Sequence, residues 1–341
     1  MRLSRRALLR LAMLGSIGAS LAYGEQATRP VGLIAFYRWY LAGQRRRLFD
    51  PPATVALQRV PSYDGDLVAP LRAGWRAGGL PAVAGKRVLI KPNLVDQVEA
   101  RPIHTNPRLV GALVDLLREM GAAAIAVGDG PAFRRDGLAV AAEAGLRAEL
   151  AARDVPFVDL NYDDPAPVPV SSGWFRSDSV LWLPASVRTA DLVISVPKLK
   201  THHWATVSLS MKNLFGVVPG VRYGWPKNIL HINGIHASIL ALLPLMPPTV
   251  GIVDGIVGME GDGPLYGTPV SHGVLAFGAD LVALDFACTR LIGLDPDRVP
   301  YLKAAAWSGL GQGDKVIFAG APFTGLRRRY APPPVMEMLT G

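Results

Sequence analysis

Residues 190–203 read ADLVISVPKLKTHH. Residues 190–196 (ADLVISV) form a short, mostly apolar run with β-branched residues, the pattern of a strand buried on both faces. Pro197 breaks the run, and two lysines and two histidines follow at once. Strands of this kind belong to parallel sheets covered by helices, where ligands gather beyond the strand C-termini. A buried strand that empties into cations therefore decides the fold class and places the chemistry.

Working outward, similar runs at residues 54–60, 87–90, 123–127, 157–160 and 249–253 predict further strands, the last ending at Asp254, and residues 181–183 a hairpin element. Between them lie helical patterns. Thr105-Asn106-Pro107 supplies a cap and a first-turn proline, Leu109, Leu113, Leu116 and Leu117 repeat at helical spacing, and Gly121 closes the helix. Residues 136–153, 208–214 and 281–292 also read as helices. The expectation is an α/β fold, a mostly parallel sheet flanked by helices, with a ligand site at the strand C-termini. Lys91-Pro92-Asn93, Gly128-Asp129-Gly130-Pro131, Pro197-Lys198-Leu199-Lys200 and Asp254-Gly255 all fall at predicted strand ends, so they are expected to line one site.

The N-terminus carries a separate message. Ser4-Arg5-Arg6-Ala7-Leu8-Leu9-Arg10, an uncharged run over residues 11–22 and the small-residue site Ser20-Leu21-Ala22 predict a twin-arginine export signal, or a retained anchor, over residues 1–27. The uncharged run is shorter than the ~20 residues that span a bilayer. The twin-arginine route delivers folded proteins to the periplasm or the outer face of the cytoplasmic membrane. Residues 28–52 read as a membrane-proximal amphipathic segment: VGLIAFYRWYLAG at 31–43, then Arg45-Arg46-Arg47. A helix packed on the domain is the alternative. Residues 53–330 form the α/β domain, and the proline-rich residues 331–341 are expected to be a loose tail.

The net charge of +9 does not indicate nucleic acid. Nine arginines and one acid lie in residues 1–47, so the rest of the chain is close to neutral. A nucleic-acid binder carries its basic footprint on the folded domain. Cys288 is the single cysteine, in the apolar helical context LDFACTRLIGL, and is expected in the core. No disulfide within the chain and no iron–sulfur cluster from this chain alone is possible.

The densest polar segment, residues 198–236, holds Lys198, Lys200, His202, His203, Lys212, Asn213, Lys227, His231 and His236. Lysine and histidine together serve proton transfer, anion binding, metal ligation or covalent attachment. The shortage of carboxylates argues against a calcium site and a paired-carboxylate glycosidase. His203 and His236 read as structural. Lys212, among Leu209, Met211, Leu214 and Phe215, is expected half-buried, with a lowered pKa and a more nucleophilic amine; a snorkelling lysine is the alternative. Residues 253–264, with Asp254, Glu260 and Asp262 among four glycines, read as a loop offering carboxylates to a cation or a substrate hydroxyl. No P-loop or nucleophile-elbow pattern occurs.

Lys91-Pro92-Asn93, Thr105-Asn106-Pro107, Val127-Gly128-Asp129-Gly130, residues 196–202, Met211-Lys212-Asn213-Leu214-Phe215-Gly216, His231, and Asp254-Gly255-Ile256 through Gly263-Pro264 closely resemble the family called domain of unknown function 362. The order strand, His202, Lys212, Pro219-Gly220, His231 is also similar, more weakly, to the nickel-pincer lactate racemases. That second resemblance implies Lys212 as attachment point for a nicotinate-derived nickel cofactor, His231 as metal ligand, and His202 as acid/base or second ligand. Where that family has a histidine-bearing turn, this chain has Gly128-Asp129-Gly130-Pro131.

Together these readings give an exported protein, read as an enzyme of isomerase or oxidoreductase type, acting on a small anionic molecule. Lys212, His202, Lys200 and Lys198 are the catalytic candidates. Lys91, Asn93, Asp129, Asn213, Asp254 and Asp262 are the substrate-binding candidates, and His231 and His202 the metal ligands. A periplasmic protein that only captures a metal or an anionic ligand, and a metal-dependent hydrolase using His202, His231, Asp254 and Asp262, are the alternatives.

Overall fold

The computed structural model describes residues 49–338, except 97–100, 133–135 and 171–179, together with residues 41, 44 and 45. The expected export signal and most of the expected amphipathic segment lie outside the described residues. Among the described residues, no helix is long and apolar enough to cross a membrane.

The described residues form twelve strands: β1 (Ala53–Arg59), β2 (Arg87–Pro92), β3 (Ala124–Asp129), β4 (Phe157–Asp159), β5 (Ala166–Pro169), β6 (Val180–Leu183), β7 (Leu192–Val196), β8 (Lys198–His202), β9 (Thr206–Ser208), β10 (Thr249–Glu260), β11 (Thr268–Gly278) and β12 (Val316–Gly320). Eight form the spine of one sheet in the order β12-β1-β11-β10-β7-β2-β3-β4. Every pairing along it is parallel except the two that β11 makes. β5 and β6 form a separate antiparallel pair, matching the expected hairpin element.

Strict side-chain alternation builds two cores, one on each face. Val55 and Leu57 of β1, Leu89 of β2 and Val193 of β7 enter one. Ala56, Val88, Ile90, Leu192 and Ile194 enter the other. The second face is covered by the helices Val68–Ala77 and Pro107–Glu119, through Leu71, Trp75, Leu109, Leu113, Leu116 and Leu117. The first is covered by Ile235–Leu242, Leu281–Leu291 and Pro300–Trp307. Asn106 caps its helix as expected, accepting from the Arg108 N–H at 3.0 Å with Pro107 in the first turn. Cys288 is buried in the first core, and burial pushes its thiol pKa up.

Several boundaries differ from the sequence expectations. The helix expected over 136–153 is two, Gly137–Glu143 and Leu146–Ala151, because Gly145 stands at φ +75° and reverses the backbone between them. The expected helix over 208–214 shrinks to Ser210–Asn213 and continues as a 3-10 turn, Leu214–Val217. The Lys198-Leu199-Lys200 segment is not a strand-end loop: beyond Pro197 the chain continues as β8, beside β10, and turns back as β9. Asp254 is not a strand end either. β10 runs on to Glu260 with an irregularity near Ile256, so most of the expected glycine-rich loop is strand. Its glycines serve close packing, since a Cβ at Gly255 would meet Leu199 and Val274 at 2.8 Å. The tail expected to be loose is held at its start: the Ala331 N–H donates to Glu260 at 2.8 Å, Pro334–Met338 is helical, and Met336 is buried.

Candidate functional site

β2 and β3 are neighbours in the sheet and both end in polar residues, so Lys91 and Asp129 meet beyond their last apolar positions. Lys91 Nζ lies 2.6 Å from Asp129 Oδ1, with both side chains about 1% exposed. The ammonium also donates to the Pro92 carbonyl at 2.7 Å and to Asn213 Oδ1 at 3.1 Å. Asp129 accepts from the N–H groups of Gly130 (2.8 Å) and Leu94 (2.7 Å). The Asn213 amide donates to the Lys91 carbonyl and to Ser195 Oγ, each at 3.1 Å. This fully bonded lattice is what a buried ion pair requires. Gly216 lies against it. A Cβ there would fall on Asp129 Oδ1 and stand 2.5 Å from Lys91 Nζ.

The lattice floors a cavity of about 90 Å³. Lys212, from the short helix Ser210–Asn213, half-buried, lines the cavity wall. Two neighbouring N–H groups of that helix, Ser210 and Met211, are held by the buried Asp285 carboxylate at 2.8 and 2.9 Å. The Lys212 ammonium stands 4.0 Å from the Phe215 ring centroid. Among the described residues it has no hydrogen-bond acceptor and no carboxylate partner. Burial, with the Lys91 charge nearby, lowers its pKa to about 8.

His202, at the end of β8, accepts from the Trp204 and Ala205 N–H groups through Nδ1, at 3.1 and 3.2 Å. A ring nitrogen that accepts carries no proton, so Nε2 must hold it. Burial and the Lys212 charge keep the ring's pKa well below its ordinary value. His202 is thus a fixed, neutral Nε2–H donor. In His231 the tautomer is reversed. Its Nδ1 faces the Lys227 carbonyl at 3.3 Å, and a carbonyl can only accept, so Nε2 carries the lone pair. Lys227 Nζ donates to the carbonyls of Gly130 (2.7 Å), Gly216 (3.2 Å) and Phe215 (3.3 Å), and burial lowers its pKa to about 7. Among the described residues, Asn93 Oδ1 is buried at the cavity without a hydrogen-bond partner.

Among the described residues, Lys91, Lys212 and Lys227 with His202, His203 and His231 line a cavity whose one carboxylate, Asp129, is already engaged on both oxygens. Of the site residues expected from the sequence, Lys91, Asn93, Asp129, His202, Lys212, Asn213 and His231 line this cavity. It does not include Lys198, Lys200, Asp254 or Asp262. Lys198 pairs with Asp254 at 2.8 Å, and both bond Tyr63 Oη at 2.7 Å. Asp254 also accepts from the Asn106 N–H at 3.0 Å, at the start of the helix Pro107–Glu119. Lys200 is wholly buried, donates to the Ile103 carbonyl at 3.0 Å, and is held well below its ordinary pKa by burial among other lysines. Asp262 lies 3.8 Å from His203 Nδ1. The carboxylates and histidines assigned to a hydrolase are therefore spread over separate clusters. Among the described residues, no group of three or more His, Cys, Asp or Glu side chains is placed to hold a metal.

The comparisons with known proteins bear on this constellation. A family model described as a domain of unknown function (DUF362) matches residues 88–290, which include every lining residue. The chain belongs to this family. A thylakoid-associated protein of Synechocystis sp. is 35% identical over 268 residues, covering 75% of this chain and 80% of that protein. Among solved structures, the lactate racemase apoprotein from Thermoanaerobacterium thermosaccharolyticum is similar at TM-score 0.44 and 16% identity. The match covers 73% of this chain, which spans 58% of that one.

Sequence reasoning left three residues of this DUF362 chain without a role. Tyr63 gave no signal. Asn161, whose amide bridges the Gly220 N–H (3.0 Å) and the Pro131 carbonyl (3.1 Å), stands directly after a predicted strand. Lys227 was visible only as one cation of the polar segment. Its left-handed backbone, φ +66°, aims the ammonium at three carbonyls.

Proposed function

We propose that the cavity binds a small anionic molecule and that the protein is an exported enzyme transferring a proton next to the bound anion. The observation that carries this reading is Lys212: a cation at the cavity wall, with no acceptor or carboxylate among the described residues, beside an ion-pair lattice whose charges are already spent. An anion supplies the missing partner, and a charge-assisted hydrogen bond in a half-buried site is strong. His202 Nε2–H adds a neutral donor. His231 Nε2 supplies a lone pair, and the Lys212 amine, at about 8, titrates close to neutrality. A base and an acid with pKa values near the working pH are what general acid–base catalysis needs.

The nicotinate-derived nickel cofactor implied by resemblance does not fit this cavity. Lys212 offers an amine and His231 one lone pair, but the metal lacks further ligands among the described residues, and about 90 Å³ lies well below the ~300 Å³ at which cofactor-sized pockets begin.

Two measurements test the proposal. Acetate, lactate and phosphate are titrated calorimetrically into wild-type protein, and the carboxylates are then incubated with it in deuterium oxide and examined by mass spectrometry. Heat of binding with deuterium entering the carbon beside the carboxylate is expected. Binding without exchange would make this a capture protein, and no binding of any anion would end the anion reading. For export, replacing Arg5 and Arg6 with lysine is expected to hold the precursor in the cytoplasm; unchanged delivery of that variant would refute the twin-arginine route.

A further inference from the structure

The cavity is cationic within and apolar at its mouth. Trp204, at the tip of the turn between β8 and β9, lines the cavity and is still 58% exposed. Its ring packs edge-on against His231 at 5.8 Å. His231 packs edge-on against Phe215 at 6.4 Å, and Phe215 lies under the Lys212 ammonium at 4.0 Å. An unbroken series of rings therefore leads from solvent to the unpartnered charge. Ile232, next to the lining residue His231, is 79% exposed, and Tyr266, two residues beyond the lining Pro264, is 61% exposed. Single exposed apolar side chains are ordinary on soluble proteins. Of the three, Trp204 is the one that itself lines the cationic cavity, where an exposed aromatic face can be covered by the apolar part of a ligand.

We infer that the ligand is an amphiphilic anion, with its charged head beside Lys212 and an alkyl or aryl portion lying against Trp204 at the mouth. This rests on the reading of the cavity as an anion site. Volume and continuity carry it. About 90 Å³ seats a head of only a few heavy atoms, so the remainder of any larger ligand must leave through the mouth. What it meets there is the exposed face of Trp204, whose apolar body contributes large contact area when covered. The same side chains line the cavity and form its mouth, so one molecule can satisfy the charge and the apolar rim together.

The test is a chain-length series. Acetate, butyrate, hexanoate and octanoate are titrated into the full-length protein at mildly acidic pH, for wild type, Trp204→Ser and Ile232→Ser. Each methylene that reaches the mouth is expected to tighten wild-type binding by roughly threefold to fourfold. Trp204→Ser is expected to flatten that dependence and leave acetate binding little changed. Ile232→Ser, outside the lining, is the control expected to keep the wild-type dependence, and Trp204→Gln replaces the serine variant if that one does not fold. Measurable acetate binding with no dependence on chain length overturns this inference and leaves the anion site standing. Failure of every anion to bind overturns the site itself. A wild-type dimer that Trp204→Ser converts to a monomer in sedimentation, with the chain-length dependence unchanged, assigns the rim to a second copy and likewise overturns it.

Discussion

Gly216→Ala is expected to unfold the floor of the cavity. The added methyl would fall on Asp129 Oδ1 and stand 2.5 Å from Lys91 Nζ, two atoms of an ion pair that is about 1% exposed. Neither partner can move aside without giving up hydrogen bonds. Lys91 is fixed by two further acceptors and Asp129 by two backbone N–H groups. The backbone of Gly216 cannot retreat freely, because its carbonyl accepts from Lys227, which also holds Gly130 and Phe215. Overpacking alone costs about 1–3 kcal/mol, and breaking a buried pair about 3–5 kcal/mol, because a buried charge is left unpaired. The expected outcome is a loss of several kcal/mol in denaturant unfolding, or no soluble protein. A loss under about 1 kcal/mol would mean that the pair is looser than its distances imply.

The same glycine shows what was legible in the sequence and what was not. Lys91, Asp129, Lys212 and His202 are far apart in the chain, yet their convergence could be expected, because parallel strands bring their C-terminal ends to one edge of a sheet. The strands that carry them were visible as buried apolar runs. Gly216 was visible only as the last residue of a motif: nothing local states that Asp129 will lie against its backbone. Lys198, Lys200 and Asp254 were misplaced for a related reason. Pro197 looks like a strand terminator, whereas the chain steps sideways there and continues as β8 beside β10. That step turns Lys198 toward Asp254 and Tyr63, away from the cavity. The glycines of β10 misled in the same way. Glycine marks loops by its freedom and strands by the closeness of what packs on it, and the sequence does not distinguish these uses. The tautomers of His202 and His231 depend on which backbone atoms stand 3 Å away, and so on a fold already complete.

Lys212 is the position where the chemistry should respond most sharply to substitution and to pH. Its pKa is lowered to about 8, from an ordinary value above 10, by burial and the Lys91 charge. Below about 8 the side chain is an ammonium and binds an anion. As pH rises through 8 it becomes a neutral amine, and affinity is expected to fall by up to tenfold per pH unit. Linkage requires the converse: bound anion raises the Lys212 pKa, so binding above pH 8 takes up a proton. In the free protein the unfolded chain keeps that proton between about 8 and 10.5 while the folded one has lost it, so this group makes folding more favourable as pH rises across that window. Lys227 titrates near 7 in the same cavity and adds its own step; substitution at Lys212 separates the two. Lys212→Arg keeps its charge above pH 12, so the arginine protein should bind methanesulfonate, whose charge is constant, without the step near 8. It should also lose deuterium exchange, because guanidinium cannot release a proton at neutral pH. Lys212→Met should fold, since among the described residues the ammonium has no acceptor to orphan, and should lose about tenfold to a hundredfold in anion affinity, the order expected when a charge-assisted hydrogen bond is removed. Calorimetry of the three proteins from pH 6 to 10 decides the matter. Undiminished binding by the methionine variant would show that Lys212 does not touch the anion, and the site would then have to rest on His202 and His231 alone.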